Sequence, residues 1–117
     1  MSKSLNYQVV EGARALVALR STWTRNYLAL TRSNRECDPT DPPAVRFCAY
    51  GALLRSAYDL TGDAGRASML AASLAMSLTG RPTPQKAFKH IYTMNDGPAV
   101  KSRRAILDLF DGALERV

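Results

Sequence analysis

The sequence predicts a mainly α-helical fold, a compact bundle of about five helices with a short β-hairpin or ordered loop between the first and second. Three observations predict it. Apolar residues recur at three- and four-residue steps through most of the chain. Residues that favour helix starts and stops punctuate those stretches. The one long stretch without helical period, "STWTRNYLALTRSNRECDPTDPP" at 21–43, is rich in turn residues. With 117 residues the chain has the size of one domain, 1–117, long enough to bury a core without disulfide or metal staples.

The first helix is expected from Ser4, as cap, to Arg20, with Leu5, Val9, Ala13, Leu16 and Val17 on one face. Tyr27 to Thr31 then reads as a short strand, and "RSNR" as a turn. The second helix is expected to start with Asp41 as cap and Pro42 in the first turn, where a missing N–H is tolerated, and to run through Arg46 and Cys48 to Leu60. Thr61-Gly62 stops it. Asp63 caps a third helix through Leu78, which Gly80 terminates. Thr83-Pro84 opens a fourth through Tyr92. Asn95 or Asp96 caps the fifth, whose Val100, Ile106, Leu107, Phe110, Ala113, Leu114 and Val117 share one side. "DPPAVR" at 41–46 and "DGPAVK" at 96–101 look alike but diverge beyond the sixth residue, and read as the same helix start written twice.

Composition narrows the function classes. Apolar residues make up 46% and charged residues 22%, as in ordinary folded soluble domains. No secretory leader and no run of about 18 apolar residues is present, so the expected location is the cytoplasm, with Cys37 and Cys48 as reduced thiols. The formal charge is +6, and twelve of the sixteen basic residues are arginine. That balance permits a nucleic acid or an acidic partner and requires neither. One histidine and two cysteines cannot form a zinc cage, and no HExxH, CxxC, P-loop or dinucleotide fingerprint occurs. No metal and no cofactor are expected, and an enzyme is disfavoured.

Two constellations carry whatever chemistry the chain offers. The first is Cys48, with His90 as a candidate base and Asn95 or Asp96 as its orienter. With Cys48 two turns inside the second helix, the field of the helix end has faded, and packing explains the thiol better than nucleophilic catalysis. The second is a basic patch of Arg81, Lys86, Lys89, Lys101, Arg103 and Arg104, which reads as a nucleic-acid or acid-binding surface, or as a solvated face in which Arg104 pairs with Asp108. Trp23, the single tryptophan, covers the core edge or anchors a partner.

The order "TWTRNYLA", a Pro/Asp stretch, "AVRFCAYGALLRSA", and "YTMNDGP" before a last amphipathic helix resembles an uncharacterised family of small bacterial and phage-encoded proteins. Nearly the whole chain takes part, most specifically Trp23, Cys48-x-x-Gly51-Ala52 and Asn95-Asp96. Met94 stands where that family usually carries tryptophan. The resemblance implies a bacterial or phage setting and a spatial cluster of Trp23, Cys48, Asn95 and Asp96, and no activity.

Three functions follow as expectations. The leading one is a non-enzymatic cytoplasmic domain that binds another macromolecule as a regulatory or accessory factor, with a protein as partner and no membrane. The second is nucleic-acid binding through the basic patch. The third is an enzyme or small-ligand site around Cys48, His90, Asn95 and Asp96.

Overall fold

The computed structural model describes residues 3–117, with residues 99 and 100 described by their backbone alone. Five helices and one two-stranded sheet are found there, in the order α1 (Leu5–Ala18), β1 (Ala29–Thr31), β2 (Ala44–Phe47), α2 (Ala49–Thr61), α3 (Ala64–Thr79), α4 (Pro84–Asn95) and α5 (Ala99–Leu114). The mainly α class and the hairpin between the first two helices are as the sequence predicts.

Most helix ends follow local chemistry. Ser4, Asp63 and Thr83 each accept a hydrogen bond from the backbone N–H three residues on, capping α1, α3 and α4. Gly62 and Gly80 end α2 and α3 in the left-handed conformation, φ 69° and 68°, which a side chain would disfavour.

The core is built on α2, which packs against α1, α3 and α4, while α5 closes the bundle against α1 and α4. Val9, Val10, Ala13 and Val17 of α1 meet Ala49, Ala52, Leu53 and Ala57 of α2 in one apolar cluster that also takes in Ile91, Ile106 and Phe110. At the α1–α2 crossing Gly12 admits Ser56, whose buried hydroxyl donates to the Val9 carbonyl at 2.8 Å. A Cβ on Gly12 would lie 2.3 Å from that hydroxyl. On α5, Ile106, Phe110 and Ala113 are buried as the periodicity predicts, Val117 is exposed, and the side chain of Val100 lies outside the described residues.

The start of the second helix is displaced. Residues 44–47, expected in helix, form β2 and pair antiparallel with β1, Ala29 opposite Phe47. On its other side Phe47 bridges to Trp23: the Phe47 N–H donates to the Thr22 carbonyl at 2.9 Å and the Thr24 N–H to the Phe47 carbonyl at 3.0 Å. Backbone partners on both flanks outweigh the helix-start signal of Asp41-Pro42. Asp41 in turn accepts from the Asp38 N–H behind it instead of capping forward. The two look-alike segments therefore have different fates, "DPPAVR" a turn and strand, "DGPAVK" a true helix start.

The fifth helix also starts differently. Asn95 is the last residue of α4 and Asp96 its C-terminal cap, with the Asp96 N–H donating to the Tyr92 carbonyl. Pro98 precedes α5, which has no side-chain cap. The side chains of Asn95 and Asp96 are engaged elsewhere.

Candidate functional site

The helix α2 begins one residue after Cys48, so Cys48 is its N-cap and not a mid-helix residue. Its Sγ accepts from the Gly51 N–H at 3.3 Å, and its own N–H donates to the Leu28 carbonyl at 3.2 Å. Gly51 sits against the same carbonyl: a Cβ there would stand 1.9 Å from the Leu28 oxygen. The spacing Cys48-x-x-Gly51 is thus a cap and its donor, and the donor is glycine because the 28–29 backbone runs directly over it.

A second donor of that first turn, the Ala49 N–H, reaches the side chain of Asn95. Asn95 is fully buried and joins three segments. Its Oδ1 accepts from the Trp23 indole N–H at 2.9 Å and from the Ala49 N–H at 3.0 Å. Its Nδ2 donates to the Thr24 carbonyl at 3.1 Å and to Asp96 Oδ1 at 3.0 Å. Because indole and peptide N–H groups can only donate, the amide has one orientation, and all four of its hydrogen-bonding positions are filled.

Asp96 extends the network. Its Oδ1 also accepts from the Asn26 N–H at 2.8 Å, and its backbone carbonyl from Arg25 Nη2 at 2.7 Å. Asn26 lies at φ 71°, a left-handed position that asparagine tolerates. Trp23, Asn95 and Asp96, with Cys48 beside them, thus fasten the 22–28 segment to the start of α2 and the end of α4.

His90 is not among them. On α4 the buried positions are Ala87, Ile91 and Asn95, each four apart, and the side occupied by Phe88, Tyr92 and Asp96 lies next to them. His90 precedes Asn95 by five positions, about 140° around the helix. It accepts on Nδ1 from Arg81 Nε at 3.1 Å and lines a shallow groove of about 590 Å³ with Arg81, Lys86, Lys89, Thr93 and Met94.

The surroundings of the Cys48 thiol disfavour the thiolate. Burial pushes its pKa up from 9.0 to about 11; N–H groups of Gly51 and Tyr50 pull it back, and the negative charge of Asp96 adds to the rise. A nucleophilic cysteine needs the opposite environment. Cys37, half-buried, is also raised, by desolvation first and then by Asp41 and Asp38.

The basic residues divide between tasks. Arg81, Lys86 and Lys89 border the His90 groove. Arg103 donates to the Ala18 carbonyl at 2.6 Å, placing a cation on the C-terminal end of α1. Lys101 and Arg104 are exposed on α5. Asp111 pairs with Arg14 of α1, and among the described residues Asp108 forms no ion pair with Arg104.

Sequence reasoning missed a cleft of about 330 Å³ beside the network. Its lining includes Tyr27, Glu36, Phe88 and Tyr92 together with Cys48 and Asp96. Phe88, Tyr92 and Asp96, spaced by four along one face of α4, were a detectable signal. Tyr27 and Glu36 lie in segments without periodicity and gave none. Among the described residues no cluster of histidine, cysteine and acidic side chains could hold a metal ion, and no helix is long and apolar enough to cross a membrane.

No curated protein and no solved structure matches the chain. A family model does, over residues 1–116, and the chain accordingly belongs to a family of unknown function, DUF6197.

Proposed function

We propose that this protein is a non-enzymatic binding domain, an accessory or regulatory factor that associates with another protein in the cytoplasm of a bacterial or phage setting. One observation carries this reading. Trp23, Asn95 and Asp96 hydrogen-bond to one another and to the backbone, and Cys48 caps α2, so the most distinctive residues build a frame beside a surface cleft with exposed aromatic rings. A thiol with its pKa near 11 and a histidine on another face of α4 do not support covalent catalysis.

Capture from lysate of the native host tests it, comparing the full chain with a Tyr27→Ser/Tyr92→Ser double variant. A protein retained by the first and lost by the second is expected. Alkylation of Cys48 in the native chain faster than in the unfolded chain overturns the non-enzymatic part, and retention of no protein overturns the binding part.

A second reading rests on the His90 groove, bordered by three cations and no carboxylate. Nucleic-acid binding there weakens steeply as salt rises. A flat salt response excludes it.

A further inference from the structure

The cleft beside Asn95 brings three aromatic rings, Tyr27, Phe88 and Tyr92, together with two carboxylates, Glu36 and Asp96, and no lysine or arginine is among its lining residues. Sixteen basic residues face ten acidic ones in this chain, yet only three of the ten carboxylates form ion pairs among the described residues. Glu11, Asp59 and Asp111 form ion pairs. Glu36 and Asp96, both on the cleft, form none among the described residues.

Asp96 is held through one carboxylate oxygen. Its Oδ1 is fixed by the Asn26 N–H and the Asn95 amide, while its Oδ2 accepts no hydrogen bond among the described residues. A carboxylate whose orientation is set in advance loses little freedom when it takes a ligand. Its charge also reaches the Cys48 thiol on the same cleft, where it adds to the effect of burial.

Two of the three rings are held by aromatic neighbours. Phe88 meets Tyr50 edge to face, centroids 4.8 Å apart at 80°, and Tyr92 at 5.3 Å and 55°. Tyr27 and Tyr92 are 47% and 39% exposed, so both rings are open to a ligand. The volume, about 330 Å³, lies at the lower end of the roughly 300–1,000 Å³ of small-molecule pockets and suits one side chain.

We propose that this cleft is a recognition pocket for an arginine side chain of the partner protein, placed among Tyr27, Phe88 and Tyr92 and paired with Glu36 and Asp96. The proposal rests on the protein-binding reading above. Charge complementarity selects a cation, and the ring quadrupoles reinforce it. Arginine fits better than lysine because its planar guanidinium stacks on rings while its five N–H groups serve two carboxylates at once. Arginine is also a frequent energetic anchor of protein interfaces.

The test is an amide NMR titration of the full chain with N-acetyl-arginine amide, N-acetyl-lysine amide and the neutral isostere N-acetyl-citrulline amide. Saturable shifts at Asn26, Tyr27, Leu28, Cys48 and Asp96 are expected, with arginine at least about threefold tighter than citrulline. Glu36→Gln and Tyr92→Leu, both at exposed positions, should each weaken arginine binding about threefold while leaving the rest of the spectrum in place. Equal response to citrulline, no saturable shift, or shifts confined to the Arg81–Lys86–His90 groove overturns the proposal. A protein captured equally well by wild type, Glu36→Gln and Tyr92→Leu removes the arginine pocket and leaves the protein-binding reading standing. A saturable arginine titration with no protein captured keeps an arginine-binding cleft but overturns the protein-binding reading and, with it, the assignment of the arginine to a partner protein.

Discussion

The indole N–H of Trp23 donates to the side-chain oxygen of Asn95, 72 positions later, at 2.9 Å. That oxygen also receives the Ala49 N–H, so one buried amide holds a loop, the start of α2 and the end of α4 in fixed relation. The cleft inherits its shape from this junction, since Cys48 and Asp96 flank the two helix ends and Asn26 follows the loop.

Removing the amide should therefore be far more damaging than an average substitution. Asn95→Ala leaves the Ala49 N–H buried without a partner, at about 1–3 kcal/mol, and takes one partner from each of the part-buried Trp23 indole and Thr24 carbonyl, so a loss of about 2–4 kcal/mol is expected. Asn95→Asp keeps the acceptor but sets a carboxylate against the Thr24 carbonyl and Asp96 Oδ1, and should be less destabilising at acid pH than at neutral pH. Urea midpoints at constant m value measure both.

Trp23→Phe isolates a single bond of the same junction. It keeps an aromatic ring and deletes one donor, leaving Asn95 Oδ1 with the Ala49 N–H alone. A loss of about 1–2 kcal/mol is expected, below that of Asn95→Ala. Differential scanning calorimetry checks the order.

Gly51 makes a prediction of the opposite kind from helix propensity. Alanine is normally better than glycine inside a helix by about 0.5–1 kcal/mol, and Gly112→Ala, whose new Cβ meets only the flexible Arg116 end at 3.6 Å, should gain about that much. Gly51→Ala drives a Cβ to within 1.9 Å of the Leu28 carbonyl, a backbone atom held by the Cys48 N–H. It should lose about 3 kcal/mol. Thermal unfolding of the two variants side by side gives shifts of opposite sign.

What the sequence made legible was local. Ser4, Asp63 and Thr83 cap their helices, and Gly62 and Gly80 end theirs, because each acts on backbone groups within four residues. The errors came where distant backbone competes. Asp41-Pro42 has the chemistry of a helix start, yet Phe47 finds hydrogen-bonding partners at both Thr22 and Thr24, and a local signal cannot reveal that. Asn95 and Asp96 read as caps for the helix that follows them, whereas their side chains bond to residues more than 40 positions earlier. The cleft was harder still, since Tyr27 and Glu36 reach it only through the β1 turn in which Leu30 bridges Glu36.

Cys48 supplies a test in pH. Its thiol in the folded chain has a pKa raised to about 11, against 9.0 for an ordinary cysteine. Between those values the unfolded chain releases a proton that the folded chain keeps. The contribution to stability is therefore fully present below pH 9.0 and is lost as pH rises toward about 11, at up to about 1.4 kcal/mol per pH unit. Cys48→Ser preserves an acceptor for the Gly51 N–H and removes the titration, so its stability should fall less steeply over that window. Cys48→Ala also removes the titration but loses the cap, and should sit about 1 kcal/mol below the serine variant at neutral pH. Urea unfolding of the three chains from pH 7 to 11 measures both effects. Parallel curves for wild type and serine would mean that water already reaches the Cys48 thiol in the folded chain.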